Sequence, residues 1–349
     1  MEKILGLENN EEWNFYLNQL DSKDKDIYFT PEYYSLYEKY GDGVARCFVF
    51  TDKENILLYP FLINPINVLG YKLPEDYYDI QGAYGYNGLI SNSREISFIS
   101  SFYSCFTDFC LKNNIIAEFL RFHPLLNNHL ISDSFLDVVY NRNVVFVDLC
   151  REKEKVIQGI KASTIRNIKK GERNLEIKIR QKDFNINEFI NIYYHTMERV
   201  KSEDYLYFNE KYFKDLFESD NVICFEAYYN GKLAGAAVSF IYGDYLHYHL
   251  GASYDEFLKY RPNDFIFYNM ILYGLEKKCR KFFMGGGTTG NSKDSLLRYK
   301  SNFSSNIVSF YIGKKIYNES IYHEIINQWE ELCPNCEKYE KILLKYRYL

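Results

Sequence analysis

Apolar and polar residues alternate along this chain with two periods, and the switches between them mark its elements. Over 263–278 the apolar residues Phe265, Ile266, Met270, Ile271 and Leu275 fall on helical spacing, which predicts a helix with one buried face. Over 245–250 the run YLHYHL predicts a strand, with His247 and His249 on one face and Tyr248 on the other. The same reading gives strands at 115–122, 281–284 and 306–312, a strand and loop over 77–90, and helices at 95–111 and 319–332.

Two windows repeat one pattern. Phe29-Thr-Pro-Glu-Tyr-Tyr-Ser-Leu-Tyr-Glu is followed by Cys47-Phe48 and then by KENILLYPFLI. Phe208-Asn-Glu-Lys-Tyr-Phe-Lys-Asp-Leu-Phe is followed by Cys224-Phe225 and then by NGKLAGAAVSFI. Each reads as helix, strand, polar turn, strand, and Asn230-Gly231 is a strong turn signal. The offset is 179 residues at the helix and 177 at the Cys-Phe pair, about half of the 349-residue chain. The pattern predicts two units, 1–150 and 151–349, each a mixed α/β (α+β) unit with a twisted mixed sheet flanked by helices.

Composition narrows the class. Hydrophobic residues are 47% and charged residues 26%, as in ordinary globular proteins. The longest uncharged stretch, 55–71, is interrupted by Pro60 and Pro65, so no membrane-spanning helix is expected. The acidic start MEKILGLENNEEW has no apolar core of a secretory signal, and a cytoplasmic location is expected. The 35 Tyr and 27 Phe accompany abundant Lys, Asn and Ile, so only Tyr at particular places counts as evidence of a site. The net charge of −5 argues against a DNA-binding protein. Residues 151–182 nevertheless carry eleven Lys/Arg against four Asp/Glu, a local +7 that attracts phosphates or forms a solvated helix face. The eight Cys read as reduced thiols. Cys333-Pro-Asn-Cys336 has redox or half-zinc spacing, but it follows a helix at the end of the chain and has no second pair, so no metal site is expected.

Three segments can carry chemistry. Gly285-Gly286-Gly287-Thr-Thr-Gly290 follows a strand but lacks both the downstream acid of a dinucleotide fold and the Lys-Ser/Thr of a phosphate loop. What remains is close backbone approach to a ligand or a neighbouring strand. In Tyr260-Arg261-Pro262-Asn263-Asp264, Pro262 suits a first helical turn, Asn263 or Asp264 a cap, and Arg261 beside free N–H groups a phosphate. In Leu297-Arg-Tyr-Lys300-Ser-Asn-Phe303, Lys300 is a cation between aromatics, able to orient a carbonyl or phosphate or simply to lie at the surface.

Taken in order, the strand at 245, the Pro-containing helix start, the helix, the strand ending in glycines, the aromatic-Lys300-x-x-Phe303 element and the strand to Gly313 resemble the Fem-type (FemABX-like) acyltransferases of the GNAT superfamily. Tyr78-Asp79-Ile-Gln-Gly-Ala-Tyr84-Gly-Tyr86-Asn-Gly88 resembles the Tyr/Gly-rich loop of that family. Thr196-Met-Glu-Arg199 with Tyr205-Leu-Tyr207-Phe208 resembles the element that opens its second half. The resemblance covers about 29–313 and implies tandem GNAT-like units. Two features depart from the family: the long helical hairpin of the bridge-forming enzymes is missing, and Tyr260-Arg261-Pro262-Asn263 replaces the Arg/Gln-x-x-Gly-x-Gly/Ala loop of simple acetyl-CoA enzymes.

The resemblance implies a bacterial N-acyltransferase for an amine of a cell-envelope precursor, such as a peptidoglycan precursor or an amino-sugar nucleotide. No cofactor is permanently bound, and the co-substrate is an acyl-CoA or an aminoacyl-tRNA. The +7 segment favours tRNA, and the missing hairpin favours a thioester. No GxSxG and no Cys–His pair is present, so direct attack by the amine is expected. The resemblance gives Lys300 to the oxyanion or leaving group, Asp79, His247 and His249 to the proton, and Tyr84, Tyr86, Arg199 and Tyr207 to the acceptor. Aminoacyl-tRNA-dependent bridge formation and a non-catalytic binding module with a retained fold stand as alternatives.

Overall fold

The computed structural model describes residues 1–334 and 336–348, and it divides into two compact units. One comprises Met1–Asn141 with Phe310–Leu349, the other Arg142–Ser309. The repeat read from the sequence is present. In the first unit the helix Pro31–Tyr40 leads into the antiparallel strands Val44–Asp52 and Asn55–Pro65. In the second, the helix Glu210–Glu218 leads into Val222–Tyr229 and Lys232–Tyr242. Each helix starts for a local reason: the Thr30 hydroxyl accepts from the Tyr33 N–H and Pro31 fills the first turn, while the Asn209 side chain accepts from Tyr212 N–H.

Strand order within the two units runs in parallel. From the outer edge, the first has Glu2–Leu5, Val44–Asp52, Asn55–Pro65, Tyr78–Gln81 and Ile115–Arg121. The second has Glu176–Arg180, Val222–Tyr229, Lys232–Tyr242, Tyr245–Ser253 and Lys281–Gly286. In both, the last two strands are parallel and a helix crosses between them: Ile96–Lys112 in the first and Pro262–Glu276 in the second. Val222–Tyr229 and Lys232–Tyr242 are apolar almost throughout because both of their faces are covered.

The sixth strand of each unit comes from the other half of the chain. Residues 312–316 pair with 117–121 in the first unit, and residues 144–148 pair with 281–286 in the second. This corrects the expected division at 150. The second unit begins at Arg142, before the basic segment, and the last forty residues belong to the first unit. Burial explains their placement: Ile325, Ile326 and Trp329 of the helix Glu319–Leu332 join Ile66, Tyr71 and Ile116 in one apolar cluster.

The two cores lie on the helical crossovers. In the first unit Phe98, Phe102 and Phe106 of the crossing helix meet Phe48, Phe50 and Tyr59 from the sheet. In the second, Phe265, Ile266, Met270 and Ile271 meet Phe225, Leu246 and Phe282. The helix Ala162–Asn174 rests on that crossover helix at Gly171, where a Cβ would lie 2.6 Å from the Cβ of Phe265. Cys333 and Cys336 are free thiols, and the Cys336 thiol donates to the Cys333 carbonyl. Asn335 of that motif lies outside the described residues.

A buried ion pair fastens the chain end to the first unit. Arg347 Nε donates to Asp79 Oδ2 at 2.7 Å, and the Tyr346 hydroxyl donates to the same oxygen at 2.9 Å. Asp79 is fully buried, and burial raises its pKa against the opposing pull of Arg347. Replacing Arg347 by Ala strands that carboxyl, and chemical denaturation should show a loss of about 3 kcal/mol. The double variant Asp79→Asn with Arg347→Ala should recover part of it.

Candidate functional site

Three turns of sequence logic place Lys300. The strand Lys281–Gly286 ends in glycines, the loop after it is drawn tight by one carboxylate, and the short helix Ser295–Lys300 returns the chain to the strand end. The carboxylate is Asp294. Its oxygens accept from the N–H groups of Thr288, Thr289, Leu296 and Leu297 and from the Thr289 hydroxyl. Burial raises its pKa, but these donors outweigh burial and hold it down at about 2.

Lys300 is 5% exposed. Its Nζ donates to the Gly286 carbonyl at 2.8 Å and lies 5.4 Å from the centre of the Tyr248 ring. Burial drives its pKa from 10.5 down to about 7. Asp294 pulls it up, and the Arg142 guanidinium pushes it further down. The side chain is therefore divided between amine and ammonium near neutrality.

Lys300 lines a cavity of about 260 Å³ in the second unit. The cavity follows from how two strands meet. Tyr245–Ser253 and Lys281–Gly286 pair in parallel only from Tyr245↔Lys281 to His247↔Phe283, and the ladder to residues 144–148 slips between Phe283 and Gly285. Beyond that point Tyr248 to Ser253 continue along their antiparallel neighbour alone. Tyr248, Gly251, Ala252 and Ser253 form one wall, and Asn263, Ile266 and Phe267 of the crossover helix form another. Thr196, Arg199, Tyr299 and Lys300 also line it, with Ala236, Ala237 and Leu296.

Ser253 is the polar hub at the far end. Its carbonyl accepts from Arg199 Nη1 at 2.8 Å, and its hydroxyl oxygen accepts from Arg199 Nη2 and Asn263 Nδ2, each at 3.3 Å. Asp255 also accepts from Arg199, at 2.5 Å. Nearer Lys300, the Tyr299 hydroxyl is buried with no hydrogen-bond partner among the described residues, and burial pushes its pKa well up.

Of the residues singled out in the sequence, the structure brings Lys300, Arg199 and Asn263 to one cavity. It places the others elsewhere. His247 and His249 lie on the strand face opposite Tyr248, as the alternation predicts, and neither lines the cavity. His249 Nε2 is 2.8 Å from the Tyr212 hydroxyl, and burial, with His247 alongside, lowers its pKa to about 3. Its ring is neutral at physiological pH and a poor proton acceptor. Asp79 is engaged by Arg347 and Tyr346 in the first unit. Tyr84 and Tyr86 also belong there. The Tyr84 carbonyl accepts from Tyr33 while its ring stacks on Tyr37, and Tyr86 packs on Tyr28, His123 and Phe310. Tyr207 stacks on Tyr194, outside the cavity.

The structure also places the Arg261 segment and the glycines. Arg261 is exposed and sits at the helix start in a left-handed conformation, φ 65°; neither Asn263 nor Asp264 caps the helix, because Asn263 turns to Ser253 and Asp264 accepts from Asn167. Among the glycines, Gly285 has φ +77° and opens towards Lys300, whose Nζ would lie 3.4 Å from an added Cβ. The Cβ positions of Gly286 and Gly287 are filled instead by residues 142–144 and by Asp294, so these two glycines serve packing. The sequence reading missed Ser253, Tyr299 and Asp294. Only Asp294, directly before Ser-Leu-Leu, carried a legible capping signal.

Residues 161–301 match the model of an acetyltransferase (GNAT) domain family. Over nearly its whole length the chain is similar in structure to FemX, with 12% identity, a TM-score of 0.70, and coverage of 92% of this chain and 99% of that one. It is also similar to L-PGS from Bacillus licheniformis, at 13% identity and TM-score 0.55 over 91% and 95% of the two chains. A third likeness is to a tandem GNAT protein from the clavulanic acid biosynthesis pathway, at 8% identity and TM-score 0.53 over 91% and 99%. No curated protein matches the sequence. The chain thus shares its fold with FemX and with the tandem GNAT protein, and residues 161–301 carry the GNAT domain match. Among the described residues, no helix is long and apolar enough to cross a membrane.

The depressed pKa of Lys300 has a thermodynamic signature. Between about pH 7 and the unfolded value near 10.4 the unfolded chain binds the proton that the folded chain has released, so stability rises with pH in that window. Melting temperatures of the wild type and Lys300→Met, compared at pH 7 and pH 9, should shift in favour of the wild type at the higher pH. A constant difference would show that Lys300 keeps an ordinary pKa.

Proposed function

We propose that the protein is an N-acyltransferase in which the cavity beside Lys300 receives the activated carbonyl of an acyl donor. The supporting observation is a buried Lys300, hydrogen-bonded to Gly286, at the place where two parallel strands part inside a GNAT domain. Parting strands present backbone groups without ladder partners, to which an extended acyl arm can bond. An amine attacks the carbonyl directly, and negative charge develops on the carbonyl oxygen. Lys300 in its ammonium form, in a site of low dielectric, stabilises that charge. Its proton can then pass to the leaving group, since a pKa of about 7 makes release easy.

The acceptor we infer is an amine of a cell-envelope precursor or amino sugar, with Arg199 and Asn263 near its path. Lys300, left as a neutral amine once it has protonated the leaving group, takes up the proton that the attacking nitrogen releases; His249 is too weak a base for this and His247 does not line the cavity. The open cavity, walled partly by Ala236, Ala237, Gly251 and Ala252, speaks against a blocked, purely binding module. For the donor, a thioester is one reading. A charged tRNA is the second, and a specific feature favours it: Arg166, Lys169, Lys170 and Arg173 are all exposed on the helix Ala162–Asn174, at the spacing of one helical face.

Incubation with acyl-CoA or with charged tRNA, each with amino-sugar nucleotides, and detection of the acylated product by mass spectrometry tests the reading and separates the donors. Lys300→Met should lower turnover by about 10²–10³, the usual cost of one lost oxyanion donor. In the wild type, kcat/KM should fall as pH rises through about 7, where the ammonium is lost, and this limb should be absent in the variant. Full activity in Lys300→Met would overturn the assignment.

A further inference from the structure

We infer a second ligand site in the unit Arg142–Ser309: a pocket for a small phosphorylated ligand with an apolar body, held by Arg151, Lys153, Lys278 and Arg280. It is independent of the acyl-transfer reading. The pocket is an open depression of about 750 Å³, within the range of small-ligand sites. It lies at the start of the strand Lys281–Gly286, whereas Lys300 binds at its end, about 16 Å of strand away.

The chemistry of the lining is two-sided. Leu149, Leu272, Leu275 and Cys279 supply an apolar floor, and the four cations face a single lining carboxylate, Glu276. Arg151 and Arg280 pair loosely with Asp148 at 3.4 Å and Asp244 at 3.6 Å, Arg280 also bonds the Cys150 thiol, and both guanidinium side chains remain more than half exposed. Asp148 is engaged more closely by Lys281, at 2.9 Å.

A simpler account would make these cations the counter-charges of the helix Pro262–Glu276, whose C-terminus ends here. That account covers Lys278 but not Arg151 and Lys153, which arrive from a separate segment. The last carbonyls are also already satisfied: Tyr273, Leu275 and Gly274 accept from the N–H groups of Lys277, Lys278 and Cys279. Arg151 and Arg280 are thus held only loosely by carboxylates of the chain, and Lys153 and Lys278 have no ion pair within 4 Å among the described residues. A phosphate monoester, with its double charge and several acceptor oxygens, matches a set of Arg and Lys donors better than a lone carboxylate does.

Cys150 lines the same pocket and is exposed, which gives a local reporter. Adenosine monophosphate is the probe, with inorganic phosphate and adenosine as the separate halves of its chemistry. Alkylation of each thiol by iodoacetamide is followed by peptide mass spectrometry. Adenosine monophosphate should slow alkylation of Cys150 several-fold and leave Cys336 unchanged. Inorganic phosphate should protect only at higher concentration, and adenosine should not protect. Lys278→Glu reverses one exposed charge and should weaken protection about tenfold, the effect of two charge units some 6 Å from a doubly charged phosphate in water at physiological ionic strength. Lys300→Met should keep full protection. Absence of protection by millimolar adenosine monophosphate, equal protection by adenosine, indifference to Lys278→Glu, or loss in Lys300→Met would each overturn the site.

Discussion

Two parallel strands that stay together for only three residue pairs govern the second unit. Parallel strands ordinarily keep an even ladder. Here the slip between Phe283 and Gly285 turns one strand aside, and the cavity is the space left behind. Everything around it serves that parting. Gly285 takes the left-handed backbone at the bend, and Asp294 gathers the following loop. The short helix then returns Lys300 to the gap, where it bonds the Gly286 carbonyl. A cation so placed is desolvated by its surroundings, and its low pKa follows from that position.

The organisation of the fold was legible because it rests on local patterning. Helix, strand, turn, strand recurs after half the chain, and each copy carries its own cap and turn residues. The division at 150 was not legible. Which strand pairs with 117–121 is decided by a ladder nearly two hundred residues distant, and no period in the sequence reports it. The placement of Asp79 was hidden for the same reason, since its partner Arg347 lies 268 residues away.

The candidate site was legible in part. Alternation in YLHYHL separated Tyr248 from the two histidines correctly, yet chemistry pointed to the histidines, while the cavity took the tyrosine. Lys300 stood out as a cation among aromatics, and its cation–π contact with Tyr248 is the physical content of that impression. Ser253 and Tyr299 gave no signal. Their importance lies in which hydrogen bonds they make or lack, and that emerges only when the helix and strand are brought together.

The exchange of sixth strands between the two halves of the chain bears on synthesis. A ribosome delivers residues 1–141 long before 312–316. Until residues 312–316 are made, the strand Ile115–Arg121 has an open edge, with amide and carbonyl groups ready to pair with any passing strand. The second unit has its borrowed strand, 144–148, already in hand and is free to close first. The unit that starts later in the chain therefore has all of its strands before the first unit does, and the first unit carries an exposed edge for longer.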